Sequence, residues 1–170
     1  MATPTVTFGC SVNQIAPKDI AEFAQRAEAL GFESLWAWDH VLLGVEPSFP
    51  IIDSITTLGA IAARTRTIKL GTGVLVLPLR NPVVAAKALG SLDVISGGRL
   101  ILGIGVSGPQ VVEGWYGQPF PRPLERTREW VALFRKMIAR EEPVAFDGKQ
   151  YQLPIKGGTG LGKPIKLINK

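Results

Sequence analysis

The sequence predicts an α/β protein built on a parallel β-sheet. Three observations predict it. The candidate strands are continuous apolar runs, such as Leu100-Ile101-Leu102, of the kind buried on both faces in parallel sheets. They alternate with segments whose apolar residues recur at helical spacing. Three of them end in polar or glycine clusters: Trp38-Asp39-His40, Gly71-Thr72-Gly73 and Gly105-Val106-Ser107-Gly108. Strand ends open onto loops, and that is where α/β enzymes carry their chemistry.

Residues 6–10 read as a first strand. Pro17 suits a first helical turn, and Ile20, Phe23, Ala24, Ala27 and Leu30 follow at helical spacing until Gly31 ends the helix. Residues 32–38 are the second strand. Gly44, Pro47 and Pro50 make 41–50 a loop, and 51–64 form a second helix. The third strand is predicted at 67–70 and resumes at 74–77. Asn81-Pro82 is a strong start for a third helix, a capping side chain followed by Pro at the first helical position; Ser96-Gly97-Gly98 stops it. Residues 99–104 are the fourth strand. A short helix around 111–113 precedes a longer one over 124–140, whose apolar face is Trp130, Leu133, Phe134 and Met137. Residues 144–153 read as a hairpin on the Asp147-Gly148 turn signal, and 154–164 as a Gly-rich loop. Residues 165–168 begin a fifth strand. Two architectures fit this order, a doubly wound open sheet or an eight-stranded barrel. A barrel takes about 250 residues; this chain, at 170, has the length and strand count of about half of one.

Composition is that of an ordinary globular chain, 46% hydrophobic and 19% charged. No apolar run reaches the roughly 18 residues of a membrane-spanning helix. The amino terminus has no basic region and no apolar signal core, which predicts a chain that is not exported. Cys10 is the single cysteine, so no internal disulfide forms, in keeping with a reducing cytoplasm. The net charge of +5 is concentrated in the last third: residues 122–170 carry 11 basic and 5 acidic side chains. The basic residues there are interspersed with acidic ones and lack interleaved stacking aromatics. They read as a solvated helix face, with neither a nucleic acid nor a membrane as partner.

Each strand-end cluster has two readings. The glycines at 71 and 73 mark either a bulge or a backbone pressed against a flat ring. Gly103, Gly105 and Gly108 satisfy the letters of a dinucleotide fingerprint. However, the run is late in the chain, Pro109 follows at once, and no acidic-ended strand comes next, so the motif fails. His40 is the only histidine. A histidine ordinarily titrates near neutrality and can move protons; it can equally be structural. With no second histidine and no cysteine cluster, no metal site is predicted, and no G-x-S-x-G elbow is present. Trp36 and Trp38 read as core, with Trp38 able to reach a pocket beside Asp39 and His40.

Several stretches together carry a family resemblance. They are Ala29-Leu30-Gly31-Phe32-Glu33-Ser34-Leu35-Trp36, Trp38-Asp39-His40, Ile68-Lys69-Leu70-Gly71-Thr72-Gly73-Val74, Arg80-Asn81-Pro82, and Leu92 through Gly105. From about residue 6 to 167 the chain resembles the amino-terminal half of the luciferase-like monooxygenase family, in its coenzyme F420-dependent oxidoreductase branch. The resemblance implies a TIM-barrel (β/α)8 fold, present as its first half. It implies a single partial-barrel domain over 1–170, with 144–164 as a hairpin and Gly-rich insertion. It also implies a flavin-type cofactor at the carboxyl ends of the strands: coenzyme F420, a deazaflavin, with FMN the alternative. The activity implied is hydride transfer to or from a small organic substrate. Asp39 and His40 are the implied catalytic pair, with His40 the proton donor or acceptor. Asp39, Gly73, Val74, Val106, Ser107 and Gly108 are implied to bind the cofactor, and a non-proline cis peptide is implied at Gly73-Val74.

Two departures qualify the transfer. Sugar-phosphate dehydrogenases of the family carry a glutamate just after the fourth-strand turn, where this chain has Pro109-Gln110. Members also hold the cofactor phosphate largely through the carboxyl-terminal half, which the resemblance does not reach. The competing reading is a non-catalytic half-barrel that pairs with a second copy or a complementary half to close its open sheet edges.

Overall fold

A computed structural model describes residues 6–41, 51–160, 162–164 and 166. Four strands lie side by side in one sheet in chain order: β1 (Gly9–Ser11), β2 (Ser34–Ala37), β3 (Lys69–Val76) and β4 (Leu100–Gly105). β2 runs parallel to both β1 and β3, with Cys10 opposite Leu35 and Leu35 opposite Leu70. Helices α1 (Ile20–Ala29), α2 (Ser54–Ala62) and α3 (Pro82–Ser96) alternate with these strands. α4 (Pro109–Gly114), α5 (Pro123–Ala139) and an antiparallel pair, β5 (Phe146–Asp147) and β6 (Gln152–Leu153), follow. Among the described residues no helix is long and apolar enough to cross a membrane.

Local chemistry sets the helix starts. Asn81 caps α3 through Oδ1, which accepts the Val83 and Val84 amides at 2.9 and 3.4 Å. Asp53 does the same for α2, accepting the Thr56 amide at 2.8 Å. That cap is why α2 begins at Ser54 and not at residue 51 as periodicity alone predicts. Gly31, just past α1, has φ +82°, the left-handed conformation that favours glycine at a helix end.

The chain divides into two compact units, Met1–Leu75 with Ser91–Ile104, and Val76–Gly90 with Gly105–Lys170. The first has its core between one sheet face and the helices: Ala24 and Ala27 of α1, Leu35 and Ala37 of β2, Leu58 and Ile61 of α2, and Leu70 of β3 are all buried. The second is centred on Ala86, Leu133, Met137 and Val144, with Tyr151 and Leu153 packed against them.

Three sequence expectations are corrected. The first strand is Gly9–Ser11, not 6–10; Val6 and Phe8 are exposed. The third strand is unbroken from Lys69 to Val76, running through Gly71 and Gly73. The sheet is not buried on both faces: Gly9 and Ser11 are exposed and all six β4 residues are half-buried. The apolar runs supply aliphatic side chains to the helix-covered face. The alternate positions on the first two strands carry Gly9, Ser11, Ser34 and Trp36 instead.

The fifth strand expected at 165–168 falls, apart from Lys166, outside the described residues. So does the 41–50 loop beyond Val41.

Candidate active site

β2 ends at Ala37, which pairs with Thr72 of β3. Asp39, His40, Gly73 and Val74 therefore all lie one to three residues beyond one register pair, past the end of β2 and in the carboxyl-terminal half of β3. The exit of β2 is fixed by Asn13, whose Oδ1 accepts the Trp38 amide at 2.8 Å.

From there the two polar residues part. Asp39 is buried, and its Oδ1 accepts the Ser54 hydroxyl at 2.9 Å. Ser54 is the first residue of α2, so the carboxylate faces the positive end of that helix. His40 is exposed. It meets Trp38 edge to face, ring centroids 6.1 Å apart at 87°. Asp39 is thus held in place by the fold, while His40 faces outward beside an indole. No sequence pattern marks Asn13. Ser54 was signalled by the Asp53-Ser54 cap pattern that starts α2.

A flat ring does lie on one glycine of β3, Gly71, and it is the protein's own. The Trp36 indole covers Gly71, where a Cβ would fall among its ring carbons, and Gly9, where a Cβ would come 2.8 Å from Nε1. Its Nε1 donates to Ser34 Oγ at 2.9 Å. Gly71 is therefore explained by Trp36, and Gly9 by the Ser34 hydroxyl together with Trp36.

Gly73 is different. A Cβ there would meet only Trp36 Cε3 at 3.6 Å and Trp36 Cβ at 3.7 Å, ordinary van der Waals contact. The described residues leave room for a side chain that the sequence does not provide. The Gly73–Val74 peptide is cis, and Val74 is 43% exposed.

Val106, Ser107 and Gly108 belong to the second unit, after β4. Ser107 adopts φ +59°, which for a non-glycine residue costs about 1 kcal/mol or more. Gly108 precedes α4 in extended conformation.

Known proteins bear on this arrangement. The profile of the luciferase-like monooxygenase family matches residues 1–167. A Mycobacterium tuberculosis protein assigned by name to the coenzyme F420-dependent oxidoreductases is 45% identical over 157 residues, covering 89% of this chain and 42% of that protein. The F420-dependent glucose-6-phosphate dehydrogenase of Amycolatopsis mediterranei is 34% identical over 153 residues, covering 87% of this chain and 45% of that enzyme. Among solved structures, the coenzyme F420-dependent tetrahydromethanopterin reductase of Methanopyrus kandleri superposes with a TM-score of 0.71 at 28% identity. That superposition covers 96% of this chain and 46% of the reductase. The chain spans just under half the length of these relatives, and its α/β fold is about half of their TIM barrel. On the profile match over nearly its full length, the chain belongs to the luciferase-like monooxygenase family.

Proposed function

We propose that this chain supplies the strand-end portion of an F420-dependent oxidoreductase site acting on a small organic substrate, in the cytoplasm that suits its single thiol. The observation that carries the reading is Gly73. Its missing side chain is not required by the packing of the described residues, and it stands beside exposed Val74 at the sheet end that also bears His40. A glycine kept free where the fold has room for a Cβ fits the close approach of a planar ligand to the backbone.

The chain's own residues divide the work as follows. Gly73 and Val74 offer a flat backbone surface to one face of the ring. Val106, Ser107 and Gly108, in the second unit, are assigned to the cofactor on the family resemblance alone. Asp39, tied to Ser54, fixes the strand exit from which His40 projects, and lines the ring's edge. His40, exposed and carried next to Trp38, gives or takes the proton that accompanies reaction of the substrate. Coenzyme F420, when bound, supplies hydride transfer, and FMN would fit the same backbone surface. The names of the relatives favour coenzyme F420. Pro109-Gln110, where the family's sugar-phosphate dehydrogenases carry glutamate, favours a substrate other than a sugar phosphate.

The test is a fluorescence titration of the 170-residue chain with coenzyme F420 and, separately, with FMN. Saturable binding is expected. Gly73→Ala should weaken it at least tenfold while the melting transition stays where it was. His40→Ala should bind as tightly as the parent and lose reduction of the coenzyme by substrate. Failure of both cofactors to bind, or a Gly73→Ala variant that binds equally well, refutes the reading. Among the described residues β1 and β4 are the edges of the sheet, so pairing with a second copy or a complementary half-barrel is the second reading. Size-exclusion mass of the same samples separates it.

A further inference from the structure

The second unit contains a cleft of about 360 Å³ whose polar lining is Arg80, Asn81, Gln118, Arg126, Gln150 and Tyr151. Among the described residues no acidic side chain lines it. The carboxylates on the neighbouring turn of α5 are committed elsewhere. Glu129 accepts the amides of Lys149, Gln150 and Tyr151 at 2.8–3.1 Å, which pins the β5–β6 turn. Glu125 accepts Gln150 Nε2 at 3.2 Å and pairs with Arg122 and Lys149, each at 3.5 Å. Arg126 is left with a neutral partner: its Nε donates to Gln150 Oε1 at 3.4 Å.

The remaining lining groups can also donate. Asn81 spends its Oδ1 on the Val83 and Val84 amides, so its NH₂ is what it can offer a ligand. The cleft also opens where α3, 15 residues long, begins, and a helix start favours negative charge. Burial raises the Tyr151 hydroxyl's pKa, which keeps that group a donor at neutral pH.

Two guanidiniums, three amide side chains, a phenol and a helix start, with no carboxylate among the described lining residues, form an oxyanion receptor. We propose that this cleft binds the phosphate group of a small molecule, with Arg80 and Arg126 as the two forks that hold it. Guanidinium geometry matches phosphate bidentately. The volume is in the range of small-molecule sites and exceeds what a bare anion fills. The inference rests on the second unit alone and does not depend on the strand-end reading.

The test is calorimetric titration of the 170-residue chain with inorganic phosphate and with glycerol 3-phosphate. Saturable binding in the millimolar range or tighter is expected, weakened by added salt. Arg80→Gln and Arg126→Gln should each reduce affinity at least tenfold. Arg126→Lys, which keeps the charge and loses the fork, should fall between. Lys156→Gln, whose ammonium pairs with Asp147 outside the cleft, should bind as the parent does. Melting curves establish that each variant is folded; if Arg126→Gln is not, Arg80→Gln carries the test. Tighter binding of the ester than of the free anion identifies a phosphorylated metabolite as the ligand; equal binding identifies phosphate itself. No saturable binding of either probe, or undiminished binding in the folded arginine variants, overturns the proposal.

Discussion

Glu28 offers the sharpest test of how the first unit is held together. It lies in α1, and its Oε1 accepts four donors from the turn leading into β3. These are the amides of Arg66, Thr67 and Ile68 at 2.9, 2.6 and 2.9 Å, and the Thr67 hydroxyl at 3.0 Å. Partial burial disfavours its charge, but the Ile68, Thr67 and Arg66 amides and the Thr67 hydroxyl outweigh that and bring its pKa from 4.5 to about 2. At 1.36 kcal/mol per pH unit, that gap is worth at most about 3.4 kcal/mol. Glu28 is half-exposed, and water screens it, so Glu28→Gln should cost about 1–2 kcal/mol at neutral pH. A lowered carboxylate pKa stabilises the fold above the unfolded value and loses that effect as pH falls toward the folded value. The deficit of the variant should therefore be full above about pH 5 and shrink by more than half by about pH 3. Urea unfolding of both proteins, followed by circular dichroism across that range, measures it. Equal stability at neutral pH would show that the four donors are satisfied as well by a neutral acceptor, and a deficit that persists unchanged to the acid end would show that the charge of the carboxylate is not what stabilises the fold.

Two further substitutions probe the same unit. Gly71→Ala forces a methyl into the Trp36 ring and should cost about 1–3 kcal/mol in urea unfolding, whereas Gly73→Ala should leave stability within about 0.5 kcal/mol of the parent; equal losses at the two sites would remove the distinction between them. Arg99→Lys keeps a charge but cannot reproduce the guanidinium's bonds to Ser96 O, Ala62 O, Thr65 O, Thr65 Oγ1 and Ile68 O. It should lower stability by about 2–3 kcal/mol, and a loss below about 0.5 kcal/mol would show that water replaces those bonds without penalty.

Much of the β-α-β succession was legible because its signals are local. Asn81-Pro82 announces α3 by capping chemistry, and helical spacing of Ile20, Ala24 and Ala27 announces α1. What was not legible depends on residues far apart in sequence. Gly71 and Gly73 look alike in the sequence, two glycines that weaken a strand. Only the placement of Trp36, which lies opposite Gly71 in register, separates a glycine used by the protein from one that its own packing does not require. The continuous strand through both follows from the same cause, since the indole fills the space that glycine would otherwise leave empty. Asp39-His40 was visible as a pair, but beyond the end of β2 the chain turns one residue inward, where Asp39 accepts the Ser54 hydroxyl, and the other out. The oxyanion cleft had no sequence signature, because Arg80, Arg126 and Gln150 come from three separate elements.

The reach of Arg99 sets an order in time. Its Nη1 donates to the Ile68 carbonyl across 31 positions of sequence, and Nη2 to Ala62 O and Thr65 O. During synthesis, at about 5–20 residues per second, the ribosome emits α2 and the lead-in to β3 several seconds before this donor exists. In that interval those carbonyls lack this donor. The nascent segment cannot complete its native hydrogen bonding until residue 99 has been translated, so the first unit closes only as β4 follows it.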